Sequence, residues 1–423
     1  MKVHLDTIGC RLNQAEIENL ARRFRQAGHE IAASPEGADL AIVNTCAVTG
    51  AAASDSRARL RTMSRRGAKE VIATGCWATL EPEKAAALPG VARVIPNARK
   101  DRLVGELLQL PEGMDAEPLQ RLPLPGLHRR TRAFIKVQDG CDNHCTFCIT
   151  TLARGEGRSR PISGVIEDIR LALKGGSREA VLTGVHLGSW GQELGLRPRD
   201  LVTAVLNETE VQRLRLSSLE PWDLDEGFFR LWESPRMMPH LHLPLQSGSA
   251  QTLRRMARKT SPESFRRLVQ AARQAISDPA ITTDIIAGFP GETEAEFAES
   301  LAFVQEMDFA GGHVFTYSAR PGTGAARLPA QVPMALRKER NHRLHSALEE
   351  SAGGYRRRFV GERLQVLWES VSELGEYGWK MEGLTGNYLR VGAFSSSPRW
   401  NEIDEVSLVE ATPEGLRGII RNS

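Results

Sequence analysis

Cysteines are the residues of this chain whose type and spacing most readily suggest chemistry: Cys10, Cys46, Cys76, Cys141, Cys145 and Cys148. The last three share one short loop, GCDNHCTFC, with the spacing C-x3-C-x2-C. A disulfide framework suits a short secreted chain, whereas in 423 residues without a leader pattern metal binding or redox chemistry is the better reading. Two sets of three thiols suggest two sites, each with one coordination position open. Zinc usually takes four ligands, and His144, the nearest fourth donor, lies inside the loop beside Cys145, where reaching back is awkward. A cubane iron–sulfur cluster suits the loop better, because three thiolates hold three irons and leave the fourth iron to an outside ligand. A zinc loop remains the alternative for the second trio, and buried cysteines packing as small hydrophobes for the first.

The elements that must position these thiols follow from periodicity. In residues 1–110 the short apolar runs KVHLDTI, DLAIVNT, EVIATG and ARVIP alternate with helical stretches over 13–27, 54–66, 81–88 and 100–108. Such strands predict a parallel sheet buried on both faces, in a doubly wound α/β domain of four units. Cys10, Cys46 and Cys76 follow the first three strands, so all three fall on the carboxyl edge, where ligands bind in such sheets.

Residues 111–132 are proline-rich and aperiodic and predict a linker. From 133 to 350 six strands, AFIKVQD, EAVLTG, RLRLSS, HLHLPL, ITTDIIAG and GHVFTYS, alternate with helices starting near Ser163, Arg199, Asp225, Ser249 and Glu294. Ser163 is the expected N-cap of its helix, and Gly175-Gly176 its end. The pattern predicts a partial (β/α)6 barrel with its ligand face at the strands' carboxyl ends, the side that carries Cys141, Cys145 and Cys148. A basic helix covers 333–350. Residues 355–423 hold the alternating segments LQVLWES, GWKMEGLT, NYLRVGAF and EVSLVEA, which predict a small antiparallel β-barrel.

Composition is ordinary for globular proteins, with 41% hydrophobic and 25% charged residues, which excludes disorder over most of the chain. No apolar run has the length of a membrane span, and a cytoplasmic protein is expected. Net charge is +3, yet basic residues cluster at 57–66, 128–132, 154–160, 254–259, 337–345 and 356–358. Segregated charge of this kind fits phosphate contacts, and Tyr377, Trp379, Tyr388 and Trp400 are candidate stacking platforms. His240 and His242 would share a strand face, where core or cleft packing is favoured over metal binding.

The cysteine loop after the first barrel strand resembles the radical S-adenosylmethionine (SAM) superfamily. The whole chain resembles its methylthiotransferases, on TIGCRLNQAE (7–16), VNTCAVT (43–49), TGCWA (74–78), QDGCDNHCTFC (138–148), HLHLPLQSGS (240–249), TTDIIAGFPGET (282–293) and FTYSARPGT (315–323). The resemblance implies two [4Fe-4S] clusters, one on each cysteine trio, with SAM on the open iron of the second. It also implies an RNA-binding TRAM barrel at the C-terminus. Reductive cleavage of SAM would give a 5′-deoxyadenosyl radical able to take an aromatic hydrogen that no side-chain base can remove. The first cluster would present sulfur, and a second SAM would methylate it.

Implied SAM contacts are Phe147 near the adenine and Thr183-Gly184 near the amino group, where a plain strand-ending turn is the alternative. Ser218 and Glu220 are candidates for the ribose, with a buried hydrogen-bonding role the alternative. Gln246 and Ser247 either contact SAM or cap a helix. GFPGE (288–292) would shape the adenine side. The sequence departs from the family where Ile149-Thr150-Thr151-Leu152 replaces the usual Ile-Pro-Tyr. TGVHLGSWG (183–191) and GLTGNYLRV (383–391) resemble the branch acting on N6-threonylcarbamoyladenosine beside the tRNA anticodon. Other branches act on N6-isopentenyladenosine in tRNA or on a ribosomal-protein aspartate. A flavodoxin- or ferredoxin-type electron donor, a tRNA partner and a monomeric state are expected. A non-catalytic zinc protein that binds RNA is the reading from a different class.

Overall fold

The computed structural model describes residues 1–109 and 131–421. The first unit is a parallel sheet of β1 (Lys2–Thr7), β2 (Glu30–Ala32), β3 (Leu40–Thr45), β4 (Glu70–Gly75) and β5 (Val91–Ile95), in the order β2-β1-β3-β4-β5. It carries helices α1 (Arg11–Gln26), α2 (Gly50–Arg65), α3 (Cys76–Leu80), α4 (Pro82–Ala86) and α5 (Leu103–Leu108). Period-two alternation sends Ile42 and Ile72 to the core shared with α1 and α5, and Val43 and Ala73 to the core shared with α2, α3 and α4. The sheet is therefore doubly wound. The three-residue β2 was not foreseen, being too short to show alternation. The thiols thus follow the first, third and fourth strands rather than the first three, but those three are neighbours in the sheet.

The second unit begins with β6 (Arg132–Lys136) and a small ribbon, β7 (Gln138–Asp139) paired with β8 (Arg158–Ser159). It continues through β9 (Glu179–Thr183), β10 (Arg213–Leu216), β11 (His240–His242), β12 (Ala280–Ala287) and β13 (Gly311–Thr316). Its helices are α6 (Thr150–Arg154), α7 (Ile162–Lys174), α8 (Pro198–Glu208), α9 (Ala250–Arg255), α10 (Pro262–Ala275), α11 (Glu294–Met307) and α12 (Met334–Arg357). The parallel sheets β10-β9-β6 and β11-β12-β13 are joined by bridges from Leu214 to Met237 and from Ser218 to His242, giving an open six-stranded arc. Helix α7 starts at Ile162 after Pro161, so Ser163 lies in its first turn and caps nothing; Gly176, at φ +90°, lies just beyond its end. Asp225 does cap its segment, but Glu226–Glu233 is a 3-10 helix. Most of the expected linker lies outside the described residues, and Arg132 already belongs to β6.

The third unit is a closed barrel of β14 (Arg363–Gly375), β15 (Gly378–Thr385), β16 (Arg390–Ser395), β17 (Ile403–Ala411) and β18 (Leu416–Ile420), in the order β14-β15-β16-β18-β17. Its pairs are antiparallel except β16 with β18, a parallel closure the alternating segments did not announce. Tyr355 and Phe359, from the end of α12, enter its core beside Trp368, Val391 and Val406.

The arc is filled from outside. Helix α1 lies on the concave face of β6 and β9, where Ala15 packs on Phe134 and Val181 and the Glu16 carboxylate meets Lys136. Below it the third unit inserts Tyr388, whose ring stacks on His240 with centroids 4.4 Å apart and 16° between planes. The Arg215 guanidinium sits 4.8 Å from the same ring, and Arg11 Nη2 donates to the Tyr388 hydroxyl at 2.9 Å. Burial alone would raise this phenol's pKa, but Arg11, Arg132 and Arg215 hold it below its ordinary value. Tyr388 is thus a joint between all three units, with its ring given to packing rather than to a free stacking platform. Tyr388→Phe should keep the stack, lose the bond to Arg11 and cost about 1.5 kcal/mol in urea unfolding. Tyr388→Ala should cost about 3–5 kcal/mol.

Candidate functional site

Cys10 stands at the N-cap of α1, Cys46 one residue beyond β3, and Cys76 on the first residue of α3. Two glycines make this possible. Gly9 has φ +105°, and a Cβ there would lie 2.7 Å from both Cβ and Sγ of Cys46. Gly75 has φ +93°, and a Cβ there would lie 2.4 Å from the Thr45 backbone. Only glycine tolerates both that backbone and that approach, which is the physical content of TIGC and TGC. Desolvation by the surrounding protein raises the thiol of Cys10, a residue with an exposed surface, and burial takes Cys46 up to about 11, each reinforced by the neighbouring thiols.

The second trio hangs between β7 and α6. Its sulfurs face N–H donors: Asn143 N lies 3.4 Å from Cys141 Sγ and Thr150 N 3.4 Å from Cys148 Sγ, while Arg258 Nη1 lies 3.9 Å from Cys145 Sγ. Asn97 Nδ2 is 3.6 Å from Cys76 Sγ in the first trio. Donors aimed at sulfur fit thiolate ligands, whose cluster properties such bonds tune. Burial lifts Cys145 to about 11 against the pull of Arg258, so ligation there must displace a proton. Among the described residues no three Cys, His, Asp or Glu side chains are grouped as for a single metal ion. A tetrahedral ion needs its sulfurs within about 4 Å of one another, twice a ~2.3 Å bond closed by the tetrahedral angle. A cubane puts each thiolate on its own iron and needs only three sulfurs around a shared space.

The segment that departs from the family loop is helical. Thr150-Thr151-Leu152 opens α6, and α6 docks on α3, with Ala153 in the same apolar cluster as Cys76 and Trp77. Asn97 Nδ2 bridges Cys76 Sγ to the Ala153 carbonyl at 2.8 Å. At the end of α6, Arg154 Nη2 donates to Asn13 Oδ1 at 2.7 Å, and Cys10 Sγ is 3.8 Å from that oxygen. Arg154 Nη1 bonds Glu16 and Asp139, each at 2.8 Å, and Lys100 and Lys136 complete the charge balance around Glu16. The two trios are thereby tied together through one five-residue helix.

Cationic and polar residues missed in the sequence complete the second loop. His186 pairs with Asp223 at 2.5 Å and with Asn143; burial alone would lower its pKa, but the bonds to Asp223 and Cys141 bring it up to about 9. Arg258 Nη2 holds Glu220 and the Pro244 carbonyl, each at 2.6 Å, and its guanidinium lies 4.4 Å from the Trp222 ring. Three members of the basic clusters, Arg154, Arg258 and Arg340, are therefore interior cations paired with Glu16, Glu220 and Glu292. Clustering along the chain could not distinguish them from RNA-facing arginines.

The expected SAM-contacting residues all lie at carboxyl ends of barrel strands or on the cysteine loop. Phe147 packs edge-on against Phe289 of GFPGE, with centroids 6.5 Å apart. A Cβ on Gly184 would lie 3.0 Å from Gln138, so the turn needs glycine for packing. Thr183 is buried, and Ser218 is bridged to His242. Glu220 is engaged by Arg258. Gln246 sits at φ +72° with its backbone bonded to β12, and Ser247 is buried and accepts from Ser249 N at 3.2 Å. His240 is core; His242 lies in the cleft with Asp284 at 3.3 Å, an acid the sequence did not place beside it. Of the candidate aromatics on the third unit, Tyr377 is exposed and pairs with exposed Phe394 at 5.7 Å.

Residues 2–96 match the model of the uncharacterized protein family UPF0004, and residues 135–304 that of the radical SAM superfamily. Threonylcarbamoyladenosine tRNA methylthiotransferase MtaB of Bacillus subtilis is 35% identical over 97% of this chain and 94% of its own length. The protein of the same name from Thermotoga maritima is 35% identical over 98% of each chain. The tRNA-2-methylthio-N(6)-dimethylallyladenosine synthase of Erythrobacter litoralis is 32% identical over 97% of this chain and 95% of its own. The radical SAM methyltransferase TsrM of Kitasatospora setae has the same fold over 74% of this chain and 72% of its own, with a TM-score of 0.57 at 15% identity. The chain belongs to the methylthiotransferase family of radical SAM enzymes.

Proposed function

We propose that this enzyme methylthiolates C2 of N6-threonylcarbamoyladenosine beside the anticodon of tRNA, with Cys141, Cys145 and Cys148 holding one [4Fe-4S] cluster and Cys10, Cys46 and Cys76 a second. The observation that supports it is the docking of α6 on α3, which joins the helix that follows Cys148 to the one that begins at Cys76. When bound, the clusters and SAM supply hydrogen abstraction, sulfur and a methyl group. The chain's own part is to hold the thiols at fixed separation through Arg154 and Asn97, and to surround them with compensating cations. Phe147, Thr183, Gly184, Ser218, Glu220, Gln246 and Ser247 form the strand-end rim on which SAM would sit. Arg258, by neutralising Glu220 beside Cys145, keeps that rim from repelling a carboxylate. A flavodoxin- or ferredoxin-type donor would deliver electrons to a cytoplasmic monomer. No helix among the described residues is long and apolar enough to cross a membrane.

The MtaB relatives favour the threonylcarbamoyl substrate over the isopentenyl one. Mass spectrometry of tRNA nucleosides from a deletion strain tests this. The expected result is loss of the methylthio mark from the threonylcarbamoyl nucleoside; loss from the isopentenyl nucleoside instead would overturn the choice of substrate. Anaerobic purification separates the enzyme from a zinc protein. About eight irons per chain are expected for two cubanes, against colourless protein with stoichiometric zinc.

A further inference from the structure

The inner wall of the arc is covered unevenly. On β6 and β9 helix α1 fills it, but on β12 and β13 a polar and aromatic surface faces the cleft. Val314 packs outward on the helix-side core, so alternation puts His313 and Phe315 on the concave face. The register sets His313 beside Asp284 and Phe315 beside Ile286, and the two rings lie 6.2 Å apart. Phe315 is 40% exposed, unusual for a phenylalanine inside a barrel. Next to it is a hydrogen-bonding corner. His242 meets Thr282 Oγ1 at 2.9 Å through Nδ1 and Asp284 Oδ2 at 3.3 Å through Nε2. Asp284 Oδ1 is buried and has no hydrogen-bond partner among the described residues. A buried acceptor left unmet is costly and calls for a donor.

The wall is also in the right place. Beyond β13, Tyr317 packs on Phe289, which in turn carries Phe147 of the cysteine loop. A Cβ on Gly50, four residues past Cys46, would lie 3.4 Å from Ser318 Oγ and 3.7 Å from Arg320 Nη1. The segment that follows Phe315 therefore touches the start of the helix after Cys46 and, through Phe289, the cysteine loop.

We propose that Phe315 is the stacking platform for the target purine, and that Asp284 with His242 reads a polar, donor-bearing N6 substituent. This rests on the threonylcarbamoyl reading above. A ureido N–H or hydroxyl would satisfy Asp284 Oδ1, whereas an isopentenyl group would leave it buried and unpaired, a penalty that discriminates against the apolar analogue.

The test is binding of anticodon stem-loop RNAs carrying threonylcarbamoyl, isopentenyl or unmodified adenosine to the anaerobically reconstituted full chain, with iron content and melting temperature reporting on folding. The parent chain should prefer the threonylcarbamoyl loop. Phe315→Ala should weaken that loop about 10-fold, the loss of one base–aromatic stack, and Phe315→Tyr should restore most of it. Asp284→Leu should narrow the preference for threonylcarbamoyl over isopentenyl by about 10-fold. Unchanged affinity in Phe315→Ala overturns the platform and leaves the substrate reading standing. A parent chain that prefers the isopentenyl loop, or none, overturns the substrate reading and the role of Asp284 with it.

Discussion

Replacing Cys145 with alanine is expected to reduce SAM cleavage to background, whereas Cys46→Ala should retain cleavage while sulfur insertion stops. Cys145 lies in the loop whose open iron would take SAM, and its sulfur faces Arg258 beside the Glu220 rim. Cys46 lies in the other trio, across the α3–α6 contact. Each variant should keep about four of about eight irons, since three thiolates hold one cubane. The measurement is anaerobic turnover with separate quantification of the nucleoside product cleaved from SAM and of methylthiolated tRNA. Normal cleavage in both variants would sink the division of labour between the trios. Gly9→Ala offers a structural echo: its Cβ would push on Cys46, so it should behave as a weaker Cys46 variant.

Loss of Glu179 should destabilise the fold strongly. Its carboxylate is fully buried between Arg213 Nε at 3.0 Å and Arg215 Nε at 2.9 Å. Arg213 Nη2 continues to the Leu384 carbonyl and Arg215 Nη1 to that of Gly386, so the same charges fasten the third unit to the second. Glu179→Ala leaves two guanidiniums uncompensated inside the protein, a loss of about 3–5 kcal/mol. Urea unfolding would show it as a lowered midpoint; an unchanged midpoint would mean that water reaches the site. Burial alone would raise this carboxyl, but the two arginines bring it down to about 2, against an ordinary 4.5. A depressed folded value stabilises the fold above pH 4.5, and this stability is lost as pH falls from there toward 2.

Where the chain was legible, a periodic signal was tied to local chemistry. The six barrel strands and the cysteines that follow strands of the first unit are visible because alternation acts over a few residues. The closure of the C-terminal barrel was not, since β18 is five residues long and its parallel partner is set by the whole barrel. The fate of Arg154, Arg258 and Arg340 was hidden for another reason. A guanidinium is drawn inside only by a carboxylate that arrives from far away in sequence, as Glu16 arrives at Arg154. Tyr388 misled in the same way, being surrounded by arginines from three separate segments. The thiols stood out because cysteine is scarce; the residues around them did not, because asparagine, histidine and arginine are common.

The helix that plugs the arc begins right after Cys10. An excised central unit would present Phe134, Val181 and Lys136 to water, and an excised first unit would expose Ala15 and the Glu16 carboxylate. The three units are accordingly less like beads on a string than like a mortise, tenon and wedge. Grafting any one of them onto a distant relative would demand that the matching socket travel with it.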